Sequence, residues 1–448
     1  MKKLRIVLML TVLALLLAAP ARAQINGEMQ DVGGFPVLHV WGTAYEMGFA
    51  QGYLLGAQMK EIVQKYILSE MPVIAWDAAR MYYPILFSEP PRIDDEFAGF
   101  VDGALASGAD IYLDELGRNM DALDMKVANA FSDLSSAAYL CSSFSAFGDA
   151  TVDSELGGAL AFARNLDWGG GGTPETQYIL SAKTLLVVRT PDDPDFLPTV
   201  SITYPGFLGC LSCLNGQGVG GFLNRGNHHP LAWKFMADGP FEPVGYAIRD
   251  GVESRDLTGD GVSSSADVVE ALHDRVFGSA LVHVVDPQNA DDPALVVELQ
   301  TLAGRAVRRP AEDPQIGPAR LALTNHDRKL FPPVDCWRYD IMIQQTQARD
   351  GKFDLPSLWD LMKQVAFYDL GGFTNYTILY RTDTMQFGLA KSDETGFSVD
   401  KQPVWFDLAD LLSYTPPDDD AASDDDAADD DAAPPHADNG DDNSGCGC

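Results

Sequence analysis

The chain has 448 residues, 46% of them hydrophobic, which is enough for one large core or two ordinary ones. Its formal net charge is −34 at pH 7, and so acidic a chain is excluded as a nucleic-acid binder. Six cysteines (Cys141, Cys210, Cys213, Cys336, Cys446 and Cys448) are too few for a disulfide scaffold of this length.

Lys2, Lys3 and Arg5 precede an apolar run from Ile6 to Ala19, and Ala21-Arg22-Ala23 is a small-x-small site. Residues 1–23 therefore read as a secretory signal removed after Ala23. The apolar run is shorter than the roughly 20 residues of a membrane span, and no later segment is long and apolar enough to be one. The expected location is secreted, periplasmic or at the cell surface. Residues 24–140 begin with an extended stretch, Phe35 to Val40, and then turn helical. Thr43-Ala44-Tyr45-Glu46 is a capping box, with Thr at the N-cap and Glu three residues later. The helix it opens should run to about Glu70, with further helices expected over 76–87, 94–107 and 114–131.

The pattern changes at Cys141. Ser142 to Gly148 and Ala159 to Asp167 are short β-leaning runs separated by a turn-rich stretch, and together they read as a hairpin. Strands are expected over Thr184–Thr190, Thr199–Thr203, Val219–Leu223, Leu281–Val285 and Ala294–Leu299, with helices over 242–252, 267–277, 335–349 and 355–367. Tyr376–Arg381 and Met385–Ala390 make a late hairpin. Strand runs followed by helix runs point to stacked sheets covered by helices. Residues 416–448 hold twelve aspartates between Asp418 and Asp442 and end Cys446-Gly447-Cys448. Such a segment cannot bury a core and is expected to be a disordered spacer, with surface attachment through its end as one use.

A cysteine is the side chain best suited to acyl transfer, because part of it is thiolate near neutral pH. A nearby arginine favours that thiolate. Folding of the hairpin carries Arg164 and Asp167 back beside Cys141, so a cation and a carboxylate flank the thiol. Four stretches then carry a resemblance. They are Trp41 to Gly52, Cys141-Ser142-Ser143-Phe144 through Arg164-Asn165-Leu166-Asp167-Trp168, Cys213-Leu214-Asn215-Gly216-Gln217-Gly218-Val219, and Leu323-Thr324-Asn325-His326 with Arg338 beyond. In this order they resemble the acyl-coenzyme A:6-aminopenicillanic acid acyltransferase family (peptidase family C45) of the N-terminal nucleophile hydrolases, similar in core to bile salt hydrolases, penicillin V acylases and acid ceramidase.

The resemblance implies an α+β fold: a four-layer αββα sandwich over 141–415 behind a mostly helical precursor segment, 24–140. It implies that the chain cuts itself between Leu140 and Cys141 and remains as two paired fragments. Cys141 would be the nucleophile, Arg164 the support of its thiolate and Asp167 the holder of the freed α-amine. Asn215 would be the oxyanion-hole asparagine, Asn325 a second positioning asparagine and Arg338 the distal arginine. A free α-amine titrates at about 8, so Cys141 would bring its own base. The expected reaction is cleavage of non-peptide or small-peptide amides of small N-acylated substrates through a Cys141 thioester, with or without acyl transfer to an amine, and with no catalytic cofactor. His326 is expected to be structural. The chain departs from the family at Leu140, where a smaller or polar residue is usual, and at Cys213, where glycine is usual.

Three readings stand apart from this one. Asp256, Thr258, Asp260, Val262, Ser264 and Asp267 occupy positions 1, 3, 5, 7, 9 and 12 of a calcium-loop spacing, with Gly261 at position 6 and Val262 donating its main-chain oxygen. A structural calcium over 256–267 is set against an acidic insertion capped by Asp267. A non-catalytic, calcium-binding surface-attachment protein is the alternative function. Cys210 and Cys213 pair with each other, or one of them pairs with Cys336; use of Cys210-Leu211-Ser212-Cys213 as a redox motif is disfavoured, because no helix start lowers its thiol.

Overall fold

The computed structural model describes residues 25–134, 141–169, 173, 176–226, 239–301, 303–369 and 372–414. The expected signal (1–23), Leu140 and the acidic tail (416–448) lie outside these residues. The expected Thr43 capping box is present, with Thr43 accepting from the Glu46 amide and Glu46 accepting from the Thr43 amide. It opens α1 (Ala44–Ile62), which continues through a π-helical turn at Val63–Ile67 and a last turn at Leu68–Glu70. Two further helices of this segment, α2 (Val73–Leu86) and α3 (Pro91–Ala106), fall close to where the periodicity puts them. The expected helix over 114–131 is shorter. Gly117 takes a positive φ of 66° in a turn joining β3 (Tyr112–Leu113) to β4 (Arg118–Asn119), and Asp121 caps a helix that starts only at Ala122, α4 (Ala122–Asn129).

Most described strands form two large sheets. The first runs in the order β1 (Gly27–Val32), β2 (Phe35–Gly42), β7 (Leu185–Pro191), β8 (Thr199–Thr203), β9 (Ser212–Asn215), β10 (Gly220–Arg225), β11 (Ser279–Val285), β12 (Ala294–Gln300) and β13 (Gly304–Arg308). The second runs in the order β14 (Arg320–Leu323), β5 (Ser142–Ala146), β6 (Ala161–Trp168), β16 (Gly372–Arg381), β17 (Gln386–Lys391) and β18 (Val404–Asp407), with β15 (Tyr368–Asp369) on β16. The expected hairpin is β5–β6, with Ser143 opposite Arg164.

Strand alternation decides what each sheet face meets. Ser143 and Ser145 of β5 bond the two ring nitrogens of His283 on β11, and Phe162 of β6 packs on Phe222 of β10, so these faces look at each other. Phe144 and Ala146 point the other way, into a cluster with Tyr339 and Met342 of α7 (Trp337–Ala348) and Leu358 and Leu361 of α8 (Leu355–Gln364). On the outer face of the first sheet, Leu38, Val40, Leu185 and Val187 pack on Met47, Ala50 and Leu55 of α1. There too, α5 (Val244–Glu253) lies against β10, with Ile248 beside Gly221. The architecture is the expected α+β sandwich of helix, sheet, sheet and helix.

The 140/141 junction is not a boundary within this fold. β2 lies parallel to β7 from Val37 opposite Leu186 to Gly42 opposite Pro191, so the 24–140 segment supplies one end of the first sheet. Glu96 of α3 is buried with Arg249 at 2.6 Å and Arg189 at 3.3 Å, and Arg249 also pairs with Glu253 at 2.8 Å. Burial pushes the Glu96 carboxyl up, but Arg249 and Arg189 outweigh it and hold it below its ordinary value. No described helix is long and apolar enough to cross a membrane.

Candidate active site

Cys141 immediately precedes β5 and is buried at 3% exposure. Its side chain and its main chain face different partners. Arg164 of β6 points between the sheets, and its guanidinium lies 3.8 Å from the Cys141 sulfur. The same guanidinium donates to the Leu211 carbonyl at 2.5 Å, to the Ser212 hydroxyl and to the Leu223 carbonyl. The thiol itself donates to the Asp167 carbonyl at 3.9 Å. Burial pushes the Cys141 thiol up, while Arg164 pulls it back.

The main-chain end of Cys141 is held from the helical side. Arg338, in the first turn of α7, donates to the Cys141 carbonyl at 3.1 Å, to the Asp167 carboxylate at 3.0 Å and to the Asn325 amide oxygen at 2.5 Å. The Asn325 nitrogen is fixed on the Arg225 carbonyl at 2.6 Å. The Thr374 hydroxyl donates to the other Asp167 oxygen at 2.6 Å. Burial pushes the Asp167 carboxyl up to about 7, against the pull of Arg338, Thr374 and Arg164. Five of the sequence-derived residues, Cys141, Arg164, Asp167, Asn325 and Arg338, therefore form one connected group.

Asn215 does not join it. Its nitrogen donates to the Val252 carbonyl and the Ser263 hydroxyl, both at 2.9 Å, and its oxygen accepts from the Gln217 and Val219 amides. The whole amide is engaged in shaping the β9–β10 turn and tying it to the end of α5. Thr374 and Ser212 are site residues that the sequence did not reveal. Each is placed by pairing between distant strands, Thr374 opposite Asp167 and Ser212 opposite Phe222, and neither carries a local motif.

Cys210 and Cys213 form a disulfide that brackets Leu211 and Ser212, the two acceptors of Arg164. Cys336 is a free, buried thiol 3.6 Å from the Thr324 hydroxyl. Burial pushes it up, but hydrogen bonds from His326 and Thr324 outweigh that and bring it to about 6. The 256–267 loop is shaped by its own groups. Asp256 accepts from the Gly261 amide, Asp260 from the Val262 amide, and the two Asp267 oxygens from the Leu257, Thr258 and Ser264 amides. Among the described residues no group of three or more His, Cys, Asp or Glu is placed to hold a metal ion, so the calcium expectation rests on spacing alone.

A small cleft of about 40 Å³ lies beside Trp168, which follows Asp167 in β6. Met59 and Ile62 of α1, Phe131 from beyond α4, and Leu180, Trp168 and Tyr204 line it, so both the precursor segment and the sandwich form its walls.

No family model matches the chain. An uncharacterized protein of Archaeoglobus fulgidus is 26% identical over 216 residues, which are 43% of this chain and 33% of that protein. The match thus spans about a third of the relative's length. Among solved structures, an N-acylethanolamine-hydrolyzing acid amidase ortholog of Caenorhabditis elegans is 17% identical, with 54% of this chain and 92% of that chain covered and a TM-score of 0.39. A conjugated bile acid hydrolase of Clostridium perfringens is 11% identical, covering 61% and 95%, with a TM-score of 0.35. A penicillin V acylase of Agrobacterium tumefaciens is 10% identical, covering 58% and 88%, with a TM-score of 0.35. These superpositions are loose, and the layered fold stands on the sheet order and inter-sheet contacts of this chain.

Proposed function

We propose that this chain is an exported cysteine N-terminal nucleophile hydrolase of the acyltransferase-like kind its motifs resemble. It cuts itself between Leu140 and Cys141 and then cleaves the amide bond of small N-acylated substrates with an apolar acyl group. The observation that carries this reading is the division of labour at Cys141. Arg164 stands by its sulfur, while Arg338 bridges its carbonyl to the Asp167 carboxylate.

In this reading the freed α-amine takes the thiol proton, and Asp167 holds the resulting ammonium. The thiolate attacks the amide carbon, the C–N bond breaks and the amine leaves with the proton from the ammonium. Water then resolves the thioester, and transfer to an acceptor amine is the other fate of the same intermediate. The apolar lining of the cleft favours a hydrocarbon-like acyl group. On a denaturing gel, purified wild-type protein should run as two bands and Cys141→Ala as one, and only the cut protein should hydrolyse N-acyl amides. Full hydrolysis by uncut protein, or by Cys141→Ala, would sink the reading.

A further inference from the structure

Arg164 is the cation at the Cys141 sulfur, 3.8 Å away, and its guanidinium is held across the gap between the sheets. It donates to the Leu211 carbonyl at 2.5 Å, to the Leu223 carbonyl and to the Ser212 hydroxyl, all three on the first sheet or at the start of β9. The two carbonyls belong to one strand pairing, since the Leu223 amide donates to the Leu211 carbonyl at 3.0 Å. Of the three acceptors, Ser212 is the one that holds Arg164 through a side chain.

Ser212 is itself tightly placed. Its neighbour Cys213 stands opposite Gly221, where a Cβ would meet Ile248 of α5, so alternation along β9 turns the Ser212 side chain to the inner face. The Cys210–Cys213 bridge closes the same stretch of chain. On the inner face the Ser212 oxygen lies 3.0 Å from the Tyr376 oxygen of β16. The Tyr376 O–H donates to the Ile202 carbonyl of β8 at 3.3 Å, so the Ser212 O–H is the donor to Tyr376 and its lone pairs are left for Arg164. Arg164, Ser212 and Tyr376 are all fully buried. Burial pushes the Tyr376 phenol up to about 12, which keeps this order of donors intact through the working range. The chain Arg164, Ser212, Tyr376, Ile202 thus runs one way and crosses between the sheets at each step.

We propose that Ser212 is a positioning residue: its hydroxyl, oriented by Tyr376, holds the Arg164 guanidinium against the Cys141 sulfur and so sets how readily the thiol ionises. This deepens the reading of Cys141 as the nucleophile and rests on it. The attraction between two buried charges depends on their separation and is little weakened by water. Burial raises the Cys141 thiol and Arg164 opposes that rise, so a guanidinium that strays from the sulfur leaves burial less opposed. Ser212 acts only through Arg164.

The test is the pH profile of Cys141 alkylation by iodoacetamide, read by mass spectrometry of the Cys141 peptide so that the free thiol of Cys336 does not contribute. The thiolate is the reacting form, so the profile reports ionisation of the thiol. Ser212→Ala should move the profile up by about one pH unit, which is a ~10-fold slower alkylation at neutral pH with the same plateau at high pH. In an Arg164→Gln background the same substitution should move nothing further. An unmoved Ser212→Ala profile overturns the proposal. So does an equal shift with and without Arg164, because Ser212 would then act on the thiol by packing alone. If Ser212→Ala does not fold, Tyr376→Phe, which leaves the Ser212 hydroxyl free to turn away, decides the matter by the same two comparisons. Protein that shows the predicted shifts but hydrolyses no N-acyl amide overturns the amidohydrolase reading and leaves the Ser212 role standing. Protein that hydrolyses the amide with an unmoved profile overturns the Ser212 role alone.

Discussion

Arg164 and Arg338 approach Cys141 from opposite sides of one strand pair, and alternation along β6 makes that separation. Arg164 lies on the face toward the first sheet, while Asp167 lies on the face toward α7. The sequence places both residues near the thiol, but only the strand phase sends Arg164 to the sulfur and the Asp167 carboxylate to Arg338. The Asp167 carboxyl also gives a pH signature. It titrates at about 7 in the fold against about 3.9 in an unfolded chain. A raised acid contributes stability that is fully present below the unfolded value and lost as pH rises through the folded one. Its share, at most ~4 kcal/mol, should disappear between pH ~4 and ~7. Asp133, also raised to about 7 by burial, adds to the same slope, so the informative quantity is a difference. In urea titrations, Asp167→Asn should lose less stability than wild type across this range, and equal losses would count against the assignment.

At the scale of elements, α1 and α3 are joined by glycines. A Cβ at Gly48 would run into the Glu96 carbonyl, and one at Gly52 into the Phe100 carbonyl. From the other side, Gly99 and Gly103 meet the Tyr45 and Phe49 carbonyls. The backbones are therefore in contact, and this explains the Gly48-x-x-x-Gly52 spacing within the first of the resembling stretches. Gly52→Val should force the helices apart and lower the midpoint of thermal unfolding, at a cost of roughly 1–3 kcal/mol or more. An unchanged midpoint would show that the contact is not needed. Local signals were legible where they were strong: the Thr43 box and the β5–β6 hairpin. β1 (Gly27–Val32) was not, because Gly-Glu-Met-Gln-Asp-Val lacks an apolar alternation and forms a strand by pairing with β2. Asn215 shows the opposite case. Its turn is readable from Asn-Gly-x-Gly, but the direction of its side chain is decided by α5 and Ser263, which are distant in sequence.

For the whole molecule, the segment expected to be cut away from Cys141 is built into the body that remains. It supplies β1 and β2, one wall of the cleft, and the Glu96 carboxylate between Arg189 and Arg249. Buried pairs of this kind are only weakly screened by salt. The two fragments should therefore co-elute in gel filtration even at high salt, and Glu96→Ala, which leaves two buried arginines short of a partner, should cost about 3–5 kcal/mol of stability. Release of a free 24–140 fragment on cleavage would contradict this. The most direct test of the account is mass spectrometry of protein mixed with an N-acyl amide and quenched in acid. The account predicts a peptide whose first residue is Cys141, carrying the acyl group as a thioester on its sulfur. An internal, unmodified Cys141 in protein that is turning over the amide would contradict it.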